Sequence, residues 1–190
     1  MLWDDHINHI ALKTSRAIGF MTRFKCCLPQ KVKLLLYRAL FRSHLNYCSL
    51  VWGTATRTSL KKLAVLENRA LRIVHNLPHR CSTKNLFSRH KIINVFNLYA
   101  YKLLRTYKIE QRRCITNISD LAPIQLFQCT YPRRRKPHCV VRVVRTNYGH
   151  QMVTFQLPSL LNRLIAANID IENISSSDLL DYFIFEATFS

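Results

Sequence analysis

Apolar positions recur with helical spacing through most of the chain. Ile7, Ile10, Ala11, Ala17 and Ile18 mark a helix over residues 5–26, with Asp4 or Asp5 placed to cap it and Gly19 a weak point inside. Pro29 suits the first turn of a second helix. There Val32, Leu35, Leu36, Ala39 and Leu40 follow the i, i+3, i+4, i+7, i+8 pattern expected of a core face. Leu34, Tyr37 and Phe41 occupy the opposite face, and Lys31, Lys33, Arg38 and Arg42 sit on the flanks. A helix apolar on two sides is buried on two sides, so this one implies a second neighbour from a partner or from a longer parent chain.

Residues His44 to Thr56 read as a short helix or turn packed by aromatics around Tyr47, Cys48, Trp52 and Gly53. A third helix is expected from Thr58 to Asn76. Leu60, Leu63, Leu66, Ala70, Ile73 and Val74 line its apolar face, and Glu67 falls at the edge of that stripe. Ser82 and Thr83 can cap a short helix through Arg89, and a longer one runs from Val95 to Ile109. Residues 111–138 read as irregular, punctuated by Pro123, Pro132 and Pro137. Val140 to Val144 reads as a short strand. Pro158 opens a further helix, and Ser175, Ser177 and Asp178 cap a last one. There is no internal repeat.

The expected fold is therefore mostly α: a multi-helix bundle with a short β segment and an irregular C-terminal extension. The expected division is a helical domain over 1–113, a basic irregular linker over 114–139 and a small strand-and-helix extension over 140–190. Three glycines in 190 residues disfavour a hairpin-rich β fold.

Charge changes the picture most. The net charge is +19, and every Lys and Arg lies at or before Arg163. Asp170, Glu172, Asp178, Asp181 and Glu186 form an acidic tail, and Asp4 and Asp5 sit at the other end. Between them only Glu67, Glu110 and Asp120 are acidic. A chain this basic repels itself unless counter-charge binds, and phosphate backbone is the commonest such partner. Seven cysteines, an odd number with irregular spacing, read as reduced intracellular thiols. No secretory signal and no apolar run of about 18 residues is present. The expectation is an intracellular protein of nucleus or cytoplasm, away from membranes.

Catalytic chemistry has little to stand on. A two-metal polymerase or nuclease site needs clustered carboxylates, and the three acids of the middle region are far apart in sequence. No C-x₂-C pair occurs. Cys129, His138, Cys139 and His150 are the only compact metal-ligand types, and their spacing fits no zinc pattern. No phosphate-binding glycine loop or nucleophile elbow is found. No cofactor, catalytic residue or small-molecule substrate is expected.

Binding is what remains. Arg57, Lys61, Arg69 and Arg72, with Asn68 among them, share the polar face of the third helix and can follow a phosphate backbone. Arg133, Arg134, Arg135 and Lys136 form a basic run between prolines, suited to a nucleic-acid clamp, a nuclear-import address or a solvated loop. Tyr47, Trp52, Tyr99 and Tyr101 are of the right type to stack bases, but at helical spacing they more often fill a core.

The run LPQKVKLLLYRALFRSHLNYCSLVWGTA from Leu28, followed by LKKLAVLENRALRIV from Leu60, resembles the region downstream of the catalytic palm in non-LTR retrotransposon reverse transcriptases of the jockey or CR1 type. The Leu45-Asn46-Tyr47-Cys48 turn with Val51-Trp52-Gly53, and Asn68-Arg69-Ala70-Leu71-Arg72, carry most of the likeness. Leu2-Trp3-Asp4-Asp5-His6-Ile7 is similar to the end of that palm, and Arg145-Thr146-Asn147-Tyr148-Gly149 to a late motif. The chain departs from the family at Leu160-Leu161-Asn162-Arg163-Leu164-Ile165, where the family's Trp and Pro are missing, and in its acidic last helix.

The resemblance implies a thumb-like bundle and C-terminal region of an RNA-directed DNA polymerase. The fingers, the aspartate-bearing palm and any endonuclease domain would lie upstream. Magnesium would then belong to the intact parent enzyme. The implied partners are RNA or an RNA–DNA hybrid, gripped through phosphates, and the parent's palm, against which the helix from Pro29 to Arg42 would pack. Two other readings stand beside it: a truncated gene whose product is a whole reverse transcriptase, and a transposon relic or protein-interaction fragment.

Overall fold

Two acids in the first turn and an arginine in the last give helix α1, Asp4–Arg23, ends that suit its dipole. Ile7, Ile10, Ile18 and Met21 form its buried side. The computed structural model describes residues 3–115, 117–127, 138–171 and 173–189, with side chains to residue 185. Among these residues the fold is all-α and multi-helical. The chain divides into two compact units, Met1–Tyr99 with Leu180–Ser190, and Ala100–Leu179.

In the first unit, α1 packs on α5, Arg57–Val74. The Ser59 hydroxyl donates to the Asp4 carboxylate, and Lys62 Nζ donates to Asn8 Oδ1 at 2.9 Å. These two rungs, near both N-termini, show that the helices run in the same direction. The intervening chain returns antiparallel as α2, Gln30–Leu36, a π-helical turn, Tyr37–Arg42, and α3, Ser43–Asn46. Gln30 meets His75 and Tyr37 meets Glu67, which fixes that direction.

The expected core face of this returning helix is corrected. Lys33, Tyr37, Phe41 and Leu45 are the buried positions, while Val32, Leu35 and Leu40 are exposed, Leu35 at 67%. Positions four apart drift by about 40° per step in an α-helix. The wider π turn offsets that drift and keeps the Tyr37–Phe41–Leu45 line on the core. The Tyr37 and Phe41 rings stack with centroids 5.4 Å apart. The face with the better helical periodicity is the one left open.

Cys48, in the left-handed region at φ 46°, turns the chain into α4, Ser49–Trp52. Trp52 is buried, and its Nε1–H donates to the Tyr47 carbonyl at 2.9 Å. Gly53 then passes so close to Tyr99 that a Cβ there would lie 2.8 Å from Tyr99 Cβ and 2.4 Å from the Ser49 carbonyl oxygen. Helix α6, Lys84–His90, follows, then the start of α7, Val95–Arg113. Thr83 does not cap α6 through its side chain; its hydroxyl donates to Asn68 Oδ1 at 2.7 Å. Asn97 Nδ2 donates to the Phe183 carbonyl at 2.9 Å, holding part of α11, Ser176–Phe189, in this unit.

The second unit contains the rest of α7, α8, Asn117–Leu121, α9, Asn147–Gln151, and α10, Val153–Ala166. The segment expected to be irregular thus includes a short helix. Val140–Val144 forms no strand ladder. The one bridge among the described residues joins Leu126 to Cys139, the adjacent Val140 N–H donates to the Gln125 carbonyl at 2.8 Å, and Val143 is 94% exposed. Pro158 does not open α10 but sits inside it, buried with Leu157, Leu160, Leu161 and Leu164. The helix starts earlier because Met152, in extended conformation, leads into it. Thr146 caps α9 by accepting from the Gly149 N–H at 3.1 Å, and Ser175 caps α11 by accepting from the Asp178 N–H at 3.1 Å.

Candidate nucleic-acid interface

Helix α5 begins on the Thr56 hydroxyl, which accepts from the Ser59 N–H at 3.3 Å. Leu60, Leu63, Ala64, Ala70, Leu71, Ile73 and Val74 are buried along it. Glu67 is not at the edge of this stripe but in its middle, fully buried. Arg42 Nη1 is 2.5 Å from Glu67 Oε1, the Tyr37 hydroxyl donates to the same oxygen at 3.1 Å, and the Val95 N–H donates to Oε2 at 3.1 Å. Burial pushes the Glu67 carboxyl above its ordinary range; Arg42 and the donated hydrogen bonds pull the other way. Burial, then the Glu67 charge, raises Tyr37 well above the usual phenol value.

With Glu67 inside, the outer face of α5 carries no acid. Arg57, Lys61 and Arg69 are exposed there, and none pairs with a carboxylate among the described residues. The Arg57 guanidinium lies 5.4 Å from the centre of the Phe96 ring, which steadies it. Arg72 is different: half-buried, it spends its Nε–H on the Cys81 carbonyl at 2.8 Å and holds the chain that follows α5. Asn68, occupied by Thr83, is likewise structural. Arg133, Arg134, Arg135 and Lys136 lie outside the described residues. Of the aromatics of a type to stack bases, Trp52, Tyr99 and Tyr101 are buried, and Tyr47 is 72% exposed.

Sequence reasoning missed the end of this track. Eighteen residues separate Arg57 from His75, about five whole turns, so His75 continues the Arg57–Lys61 line at the C-cap of α5. Its Nε2 lies 2.7 Å from His90 Nε2, and its Nδ1 lies 2.7 Å from Gln30 Nε2. Burial first, then His90, Arg89 and Lys33, lower the His75 pKa; burial, then Arg89 and Arg38, lower that of His90. The helical angle of His75 was the available signal, but a lone histidine at a helix end does not reveal a partner fifteen residues on. Beside it, the buried Lys33 ammonium donates to the Lys25 carbonyl at 3.2 Å and to Asn76 Oδ1 at 2.9 Å, near the ends of α1 and α5.

Among the described residues no group of three or more His, Cys, Asp or Glu is placed to hold a metal ion. Cys139 is buried and bonded through its backbone to Asn162, and His138 and His150 are exposed. The six described cysteines are free thiols. No described helix is long and apolar enough to cross a membrane. The chain matches no family model, no curated protein and no solved structure.

In the second unit an apolar cavity of about 610 Å³ lies among Tyr107, Ile124, Leu126, Leu161, Leu164 and Ile169. Lys108 is 4% exposed, and its ammonium has no hydrogen-bond partner among the described residues. Burial, then the neighbouring Arg112, lowers its pKa against the pull of Asp170 and Asp178.

Proposed function

We propose that the chain binds RNA or an RNA–DNA hybrid through phosphate contacts along the outer face of α5, with little sequence preference, as the thumb-like part of a retrotransposon reverse transcriptase. The observation that carries this reading is the division of charge on α5: its single carboxylate is buried on Arg42, and Arg57, Lys61 and Arg69 are exposed with no acid beside them. A positive face of that kind attracts a polyanion by counterion release and reads no bases. The polymerase chemistry of such an enzyme belongs to its palm, so the chain grips template and primer without extending them.

Titrating binding of a hybrid duplex against salt tests the reading. Affinity falls steeply on a log–log plot, with a slope of about −0.7 to −0.9 for each phosphate contacted. No binding at low salt rejects it, and magnesium-dependent primer extension by the purified chain rejects its non-catalytic part.

The exposed Val32, Leu35 and Leu40 favour a second element of the same proposal. This open face of α2 and the π turn would pack on another part of the parent polymerase.

A further inference from the structure

We propose that His75 and His90, with Arg38 and Arg89, form a phosphate-binding site at the end of the α5 track, and that a nucleic-acid phosphate seated there brings one proton onto the histidine pair. The site rests on the reading of α5 as a nucleic-acid surface and extends it to residues of the π turn and α6.

The geometry defines a shared proton. With the Gln30 amide donating to Nδ1, His75 carries its hydrogen on Nε2 and gives it to His90 Nε2, 2.7 Å away. Both rings are then neutral. Lys33 faces the pair from α2, Arg38 from the π turn and Arg89 from α6. No described carboxylate acts on either ring. Burial first, and then the surrounding cations, keep the pair unprotonated, because a further positive charge there is poorly solvated and has nothing to balance it.

The same surroundings choose the ligand. A divalent metal is repelled by three cations. It would also need each nitrogen about 2.0–2.1 Å from it, which forces the two rings further apart than they stand. An oxyanion is attracted by every group present. Once a phosphate lies beside Arg38 and Arg89, the local potential changes sign and the pair accepts a proton. The shared bond between the rings opens, and the new imidazolium N–H donates to a phosphate oxygen. The proton comes from solvent or buffer, and no covalent bond to carbon or phosphorus is made or broken.

Calorimetry of hybrid binding near pH 7, in two buffers of different ionisation enthalpy, counts the protons taken up. The parent chain takes up about one, and its affinity rises by up to about tenfold for each unit from pH 8 to pH 6. His75→Gln/His90→Gln, with its folding checked by thermal melting, binds the hybrid with no proton uptake and a flat pH profile. Arg89→Ala, a surface change, takes up a smaller fraction of a proton. Equal uptake by the parent and the double variant overturns the site and leaves the α5 reading standing. Absence of hybrid binding at low salt overturns both. Inorganic phosphate at matched concentration gives no uptake; if it reproduces the full effect, the site serves the free anion and the nucleic-acid assignment falls.

Discussion

Arg42 Nη1 stands 2.5 Å from Glu67 Oε1, joining the π turn to the middle of α5 inside the first unit. Glu67 is the only acid between Leu28 and Pro78. Its burial therefore does two things at once: it anchors the returning helix to α5, and it removes the one negative charge that would interrupt a positive surface.

Removing the carboxylate leaves a nearly buried guanidinium, a phenol and an N–H without their acceptor. Glu67→Ala is expected to lose about 3–5 kcal/mol of stability in urea denaturation. Arg42→Leu combined with Glu67→Leu recovers most of it. A single variant within ~1 kcal/mol of the parent rejects the anchoring role. Because the folded carboxyl titrates above 4.5, the folded state holds more protons than the unfolded one just above that pH. The Glu67 contribution to stability thus falls as pH rises through this window.

The α5 track separates gripping residues from holding ones. Arg57→Ala/Lys61→Ala/Arg69→Ala is expected to flatten the salt dependence of hybrid binding by about 2–3 in slope. Each of these surface changes should alter stability by only about 0.5–1 kcal/mol, Arg57 the most because of Phe96. Arg72→Ala, by contrast, lowers the melting temperature through the lost Cys81 contact. An unchanged salt slope in the triple variant removes the case for phosphate contact on this face.

The histidine pair adds its own pH dependence to the unliganded protein. Both folded-state pKa values lie below the ordinary 6.5, so the unfolded chain binds more protons in the window beneath that value. The stability from this pair is complete above pH 6.5 and is lost as pH falls through the lowered values. Melting curves from pH 7.5 to 5 follow this trend in the parent, and His75→Gln/His90→Gln shows a shallower decline.

The Lys108 ammonium is buried with no hydrogen-bond acceptor among the described residues. Lys108→Met keeps the length of the side chain and removes the unsatisfied charge. It is expected to raise stability by about 1–3 kcal/mol, read by urea denaturation. A loss of stability indicates that the charge is compensated in solution.

The Tyr99 hydroxyl has no hydrogen-bond partner among the described residues, and burial pushes its pKa up to about 12. Tyr99→Phe is expected to gain about 1 kcal/mol. Gly53→Ala is expected to lose about 1–3 kcal/mol, because its methyl group meets the Ser49 carbonyl and Tyr99 Cβ. The same denaturation curves measure both, and a neutral Gly53→Ala shows that the two segments can separate without penalty.

The amphipathic helices were legible in sequence where one face alone was apolar. On α5 the periodicity gave both the buried stripe and the exposed Arg57, Lys61 and Arg69. It misplaced Glu67, because a carboxylate inside a core is stable only with Arg42, Tyr37 and Val95 around it, and these meet it only in the folded chain. On the helix after Pro29 the periodicity pointed to the wrong face, since two apolar faces compete and spacing cannot say which has a neighbour. Val140–Val144 has the β-branched composition of a strand, but among the described residues its backbone pairing stops at Val140, whose N–H donates to the Gln125 carbonyl.

By itself, then, the sequence determined the helical class, the concentration of positive charge before Arg163 and the basic outer face of α5, because these follow from residue type and a 3.6-residue repeat. Tertiary structure decided which face of the returning helix is covered, where Glu67 sits, and that His75 meets His90. Those outcomes depend on contacts between residues far apart in the chain, which no local period encodes.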